Sequence, residues 1–121
     1  MTTVLLATSS VHVTAAAADY LQDRLVPADD DIVVVAVHAT DAPSRDAGDA
    51  INVAHSRLAA FAPVTVTRDG KPITEILAAV DEHDPDELVI GPHRGDGDGV
   101  GSTAQAILAR VNRPVVVVPL P

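Results

Sequence analysis

Short, unbroken aliphatic runs recur along the chain, and each is separated from the next by a segment whose apolar residues fall at helical spacing. Val4–Thr8, Ile32–His38, Val64–Thr67, Leu88–Ile90 and Val115–Val118 read as strands. Between the first two, Val11–Leu25 carries Ala17, Ala18, Leu21 and Leu25 on one helical face. Thr14 falls on that face near the helix start, where its hydroxyl finds a backbone partner. Ser44–Phe61 repeats the pattern with Ala47, Ala50, Ile51, Ala54, Leu58 and Phe61. A third helix opens at Pro72, where a missing N–H does no harm, and buries Ile73, Ile76, Leu77 and Val80. A fourth spans Ser102–Val111, with Ile107, Leu108 and Val111 facing inward.

Continuous apolar strands alternating with helices predict an α/β fold, a three-layer open sheet of five parallel strands covered on both faces. Right-handed crossovers reduce the possible topologies to a few. The chain contains no internal repeat or long linker, so residues 1–121 are expected to form one domain. The polar stretch Asp41–Asp49 is expected to be a mobile loop running into the second helix.

Composition excludes several chemistries. With no Cys, disulfides, thiolate catalysis and Cys-ligated metals are ruled out. One Phe, one Tyr and no Trp leave little for stacking on a base. The net charge of −9, with Lys71 the only lysine, argues against a nucleic-acid partner. No run is long enough to span a membrane, and the N-terminus lacks a basic-then-apolar leader, so the expected location is the cytoplasm. Fourteen Asp against three Glu fits either a halophile's protein or an ordinary acidic cytosolic one.

Five of the seven glycines lie in Gly91–Gly101, directly after a strand and before a helix. Such a loop exposes backbone N–H groups, and the helix N-terminus adds partial positive charge. Ser102 and Thr103 place hydroxyls there, either to cap the helix or to meet a phosphate. The alternative is a solvated turn with Ser102 as its cap, which Asp96 and Asp98 favour by repelling phosphate. Asp96-Gly97-Asp98-Gly99 resembles the start of a calcium loop but lacks its bidentate Glu. Of the five histidines, His93 lies inside the glycine loop, as a ligand contact or a surface residue. His55 and His83 read as exposed helix residues, and His38 as structural. Ser9 and Ser10 follow the first strand without the flanks of a nucleophile elbow, and no catalytic constellation emerges from spacing.

Two segments together carry a family resemblance. One is Val64–Ile90, with Asp69-Gly70-Lys71-Pro72 opening its helix and Asp84–Ile90 running into Gly91. The other runs from Gly101-Ser102 through a short helix to Asn112-Arg113-Pro114-Val115-Val116-Val117-Val118. They resemble the universal stress protein family, and the order of elements over the whole chain fits. The resemblance implies the strand order 3-2-1-4-5, with ligands bound where the first and fourth strands separate. Many family members bind ATP through a G-x2-G-x9-G-[ST] motif. Gly91, Gly101, Ser102 and Val37 match the family pattern, and His93 fits a residue often found between the first two glycines. The chain departs from it where Gly91 is followed by Gly95, where the interval to Gly101 is about three residues shorter, and where the family's Asp at the end of strand one appears as Ser9.

The resemblance implies a regulatory protein whose ligand would be ATP, with Mg, or another adenine nucleotide. Gly91, His93, Gly95, Gly101, Ser102 and Thr103 would hold phosphate and ribose, and Thr8, Ser9 and Val37 would line the base and ribose side. Hydrolysis would at most be slow, because no base is placed to activate water. A homodimer through Val115, Val116, Val117 and Val118 is expected, since it would cover an apolar sheet edge. The alternative is a stress-response dimerisation or interaction module that has lost the nucleotide.

Overall fold

The computed structural model describes residues 1–38, 45–91 and 102–119. Its strands are β1 (Thr3–Thr8), β2 (Asp31–His38), β3 (Val64–Asp69), β4 (Glu87–Ile90) and β5 (Val115–Val117). Its helices are α1 (Val11–Arg24), α2 (Arg45–Arg57), α3 (Pro72–His83) and α4 (Ser102–Arg110). All strand pairs are parallel, in the order β3-β2-β1-β4-β5, as expected.

Alternation along the strands builds two cores. Val4 and Leu6 of β1, Ile32 and Val34 of β2, and Val89 of β4 meet Ala17, Ala18, Leu21, Ala54, Leu58 and Phe61 on the α1–α2 side. Leu5, Ala7, Val33, Val35, Val37, Leu88 and Ile90 point the other way, onto Ile76, Ala79, Val80, Ala104 and Ile107 of α3 and α4. A central strand thus needs apolar residues at every position, which is why β1, β2 and β4 read as continuous runs. Fully buried Ala17, Ala18, Ala47, Ala50 and Ala54 keep α1 and α2 slim enough to pack closely.

Several boundaries differ from the sequence reading. The second helix ends at Arg57, and Ala59–Phe61 is a 3-10 turn. There Phe61 N–H donates to Leu58 O (2.9 Å) and Ala62 N–H to Ala59 O (3.1 Å), and Ala62 sits at φ 47°. The tighter winding carries Phe61 into the core. Arg45–Asp49 are already helical, while 39–44 lie outside the described residues. Leu108 is exposed, and α4 buries Ala104 and Ile107 instead. Both 107 and 108 satisfy helical spacing, and a nine-residue helix presents only one of them to the sheet. Similarly Ala79, not Leu77, completes the buried face of α3. Val118 follows β5 rather than belonging to it, although its N–H still donates to Ile90 O at 2.8 Å.

The N-terminal end of the sheet is pinned by two carboxylates. Asp30 accepts from Thr2 N–H and Val26 N–H, each at 2.9 Å, and Asp86 accepts from Thr3 N–H at 2.8 Å. Edge strand β3 is tied to α3 by Arg68, which pairs with Glu82 and, at 3.6 Å, with Glu75. No described helix is long and apolar enough to cross a membrane.

Candidate functional site

Strands β1 and β4 lie side by side, yet their chains leave for opposite faces, β1 into α1 and β4 towards α4. This divergence opens a crevice at the C-terminal ends of the strands, the switch point of an open α/β sheet. A cavity of about 200 Å³ occupies it. Ala7, Val37 and Ile90 contribute from the strands, Pro72 and Ile76 from α3, and Thr103, Ala104 and Ile107 from α4. Thr8, Ser9, Val13 and Gly91 complete the lining.

The structure therefore brings Thr8, Ser9, Val37, Gly91 and Thr103 of the expected site onto one cavity. Ser102 is the exposed first residue of α4, beside the lining but not in it. His93, Gly95 and Gly101 lie outside the described residues. Val13, Pro72, Ile76, Ile90, Ala104 and Ile107 also line the cavity and were not among the expected site residues. Periodicity marks Ile76, Ile90 and Ile107 as core, because a residue at the top of a core and one on a cavity floor share the same spacing.

Gly91 has a steric reason to be glycine. A Cβ there would lie 2.6 and 2.7 Å from the two methyls of Val13, a stiff and nearly buried side chain. The glycine lets the start of α1 close over the end of β4.

The turn from β1 to α1 is held by hydroxyls. Ser10 caps α1, its Oγ accepting from Val13 N–H at 3.2 Å. Ser10 N–H donates to Thr8 Oγ1 (3.3 Å), and the Thr8 and Thr14 hydroxyls are 2.9 Å apart. Thr14 Oγ1 donates to Ser10 O at 2.8 Å. Thr8 is the last residue of β1, and Ser9 is the first residue beyond it. Even-numbered β1 residues face α1, which puts the Thr8 side chain on that side and its hydroxyl in the turn. Ser9 is exposed, and its hydroxyl has no hydrogen-bond partner among the described residues. The described lining carries no charged side chain, and no cluster of His, Asp and Glu among the described residues is arranged to hold a metal.

A parallel 3-2-1-4-5 sheet, covered on both faces, is the adenine nucleotide alpha-hydrolase-like architecture. The chain belongs to the universal stress protein family, whose model matches residues 52–119. Among solved structures, the universal stress protein UspA from Lactobacillus plantarum superimposes with a TM-score of 0.72 at 18% identity, covering 96% of this chain and 97% of that one. A family protein from Arabidopsis thaliana with AMP bound gives 0.68 at 19% identity, covering 100% and 93%. The universal stress protein from Archaeoglobus fulgidus in complex with dAMP gives 0.62 at 20% identity, covering 98% of each chain. No curated protein sequence matches the chain.

Proposed function

We propose that the chain is a single-domain cytoplasmic regulatory protein that binds an adenine nucleotide in the switch-point cavity. The observation that carries this is the convergence on one cavity of the β1 end, the β4 end with Gly91, and the first turns of α3 and α4. Solved relatives of the same architecture hold AMP and dAMP. A largely aliphatic cavity of about 200 Å³ suits an uncharged base better than a whole nucleotide. The base would rest on Val37, Ile76 and Ile90, and the free Ser9 hydroxyl would meet the sugar. Phosphate would lie towards Ser102 and Thr103, at the positive end of α4. His93, Gly95 and Gly101 remain phosphate-side candidates from the sequence. ATP would bring its Mg as a complex, because the described lining offers the metal no carboxylate. Any hydrolysis would be slow.

Thermal unfolding with adenosine, AMP, ATP and MgATP tests this. A ligand that binds only the folded state stabilises it by about 2.7 kcal/mol at a hundredfold excess over its Kd. A midpoint rise with AMP is the expected result, and a larger rise with MgATP assigns phosphate contacts to the site. No rise with any of the four overturns the reading. A second reading, the dimerisation or interaction module without nucleotide, would then stand. It draws on the small cavity and on the outer edge of β5, which has no strand beside it among the described residues.

A further inference from the structure

We propose that Thr14, which does not line the cavity, positions the ligand site through its hydroxyl contact with Thr8, holding Thr8 and Ser9 of the lining in place. The proposal rests on the nucleotide reading above. Thr14 is fully buried one turn into α1 and does not line the cavity. Thr8 and Ser10 are almost as buried, at 5% and 3% exposure, so three hydroxyls are packed into one turn beside an apolar core.

Their protons have a consistent assignment. Thr14 Oγ1 gives its proton to Ser10 O, the shortest contact at 2.8 Å. Thr8 Oγ1 lies 2.9 Å from Thr14 Oγ1 and 3.0 Å from Ser10 O, and with the Thr14 proton on Ser10 O the Thr8 proton bridges to Thr14. Thr8 accepts in turn from Ser10 N–H at 3.3 Å. The result is a one-way ring from Ser10 N–H through Thr8 and Thr14 back to Ser10 O, in which each hydroxyl donates once and accepts once. Bonds in such a chain polarise one another. The ring starts and ends on the residue after Ser9, and it joins the last residue of β1 to the first turn of α1. It therefore fixes the backbone on both sides of Ser9, an exposed residue of the cavity lining whose hydroxyl has no partner among the described residues. Holding a ligand contact in place beforehand removes an ordering cost from binding.

The test is calorimetric titration of AMP into wild type, Thr8→Val, Thr14→Val and the double variant, with the unfolding midpoint measured for each. Thr14→Val leaves every buried polar group a partner, because Thr8 Oγ1 also lies 3.0 Å from Ser10 O and can donate there. The expected result is an AMP Kd about tenfold weaker in each single variant, and a double variant no weaker than the worse single, since a ring breaks only once. Thr14→Ser, which keeps the hydroxyl, should restore wild-type affinity. Lower midpoints with unchanged Kd would reduce the pair to a structural role and overturn the proposal, as would additive losses. If either valine variant fails to fold, the comparison of Thr14→Ser with Thr14→Ala decides in the same way. A wild type that does not bind AMP fails the nucleotide reading itself, an outcome distinct from wild-type binding that the variants leave unchanged.

Discussion

Gly91 shows how one missing methyl shapes the site. Because the Val13 methyls stand within 2.7 Å of where its Cβ would be, Gly91→Ala must move either α1 or the end of β4. Overpacking of this kind costs about 1–3 kcal/mol. Urea unfolding should register that loss, and Val13→Ala should recover part of it in the double variant, where the two changes will not add. Sequence singled out Gly91 as the start of a glycine-rich turn. The contact that demands glycine was invisible, because Val13 is most of the chain away in sequence. Thr8 and Ser9 were likewise both placed in the site, but only the end of the β1 ladder separates their tasks, giving one hydroxyl to the turn and leaving the other free.

At the scale of elements, local bonds decide where helices and strands begin. Ser10→Ala removes the cap of α1 and should cost about 1 kcal/mol in urea unfolding. The start of β1 depends on carboxylates instead. The Val26 N–H, and after it the Thr2 N–H, hold the Asp30 carboxyl below its ordinary range against the cost of desolvation. Its folded pKa lies below its unfolded one, so its contribution is complete above the unfolded value and disappears as pH falls through the folded value. On acidification from about pH 5 to about pH 3, wild type should therefore lose stability more steeply than Asp30→Asn, as followed by circular dichroism. Strand and helix identities were legible because unbroken aliphatic runs and helically spaced apolar residues differ clearly. The exits were less so. Nothing in Leu58–Phe61 distinguishes a continuing helix from a 3-10 turn, and the choice between Ile107 and Leu108 belongs to the packing of α4 against the sheet.

For the whole molecule, charge and edges govern encounters. A net charge of −9 repels an anionic ligand at long range, and salt shortens that reach from about 10 Å at 0.1 M to about 3 Å at 1 M. AMP affinity should therefore rise with added KCl while adenosine affinity changes little, measurable by titration in both salts. The two outer strands are β3 and β5. The ion pairs from Arg68 to Glu75 and Glu82 place charge along β3, whereas β5 is a plain Val115–Val117 run that invites pairing with a second copy. Light scattering should give twice the chain mass, and Val116→Lys should return it to the single-chain value. The strand order became legible only through the family resemblance, since periodicity alone fixes which segments are strands and not which are neighbours. Because all five strands run the same way, the start of β1 and the end of β5 lie at opposite ends of the sheet. A partner fused ahead of β1 would leave the cavity end open, while one fused behind β5 would crowd it. Two copies joined head to tail would need a connector that travels back along about 20 Å of strand, at least six extended residues, before the second sheet could begin.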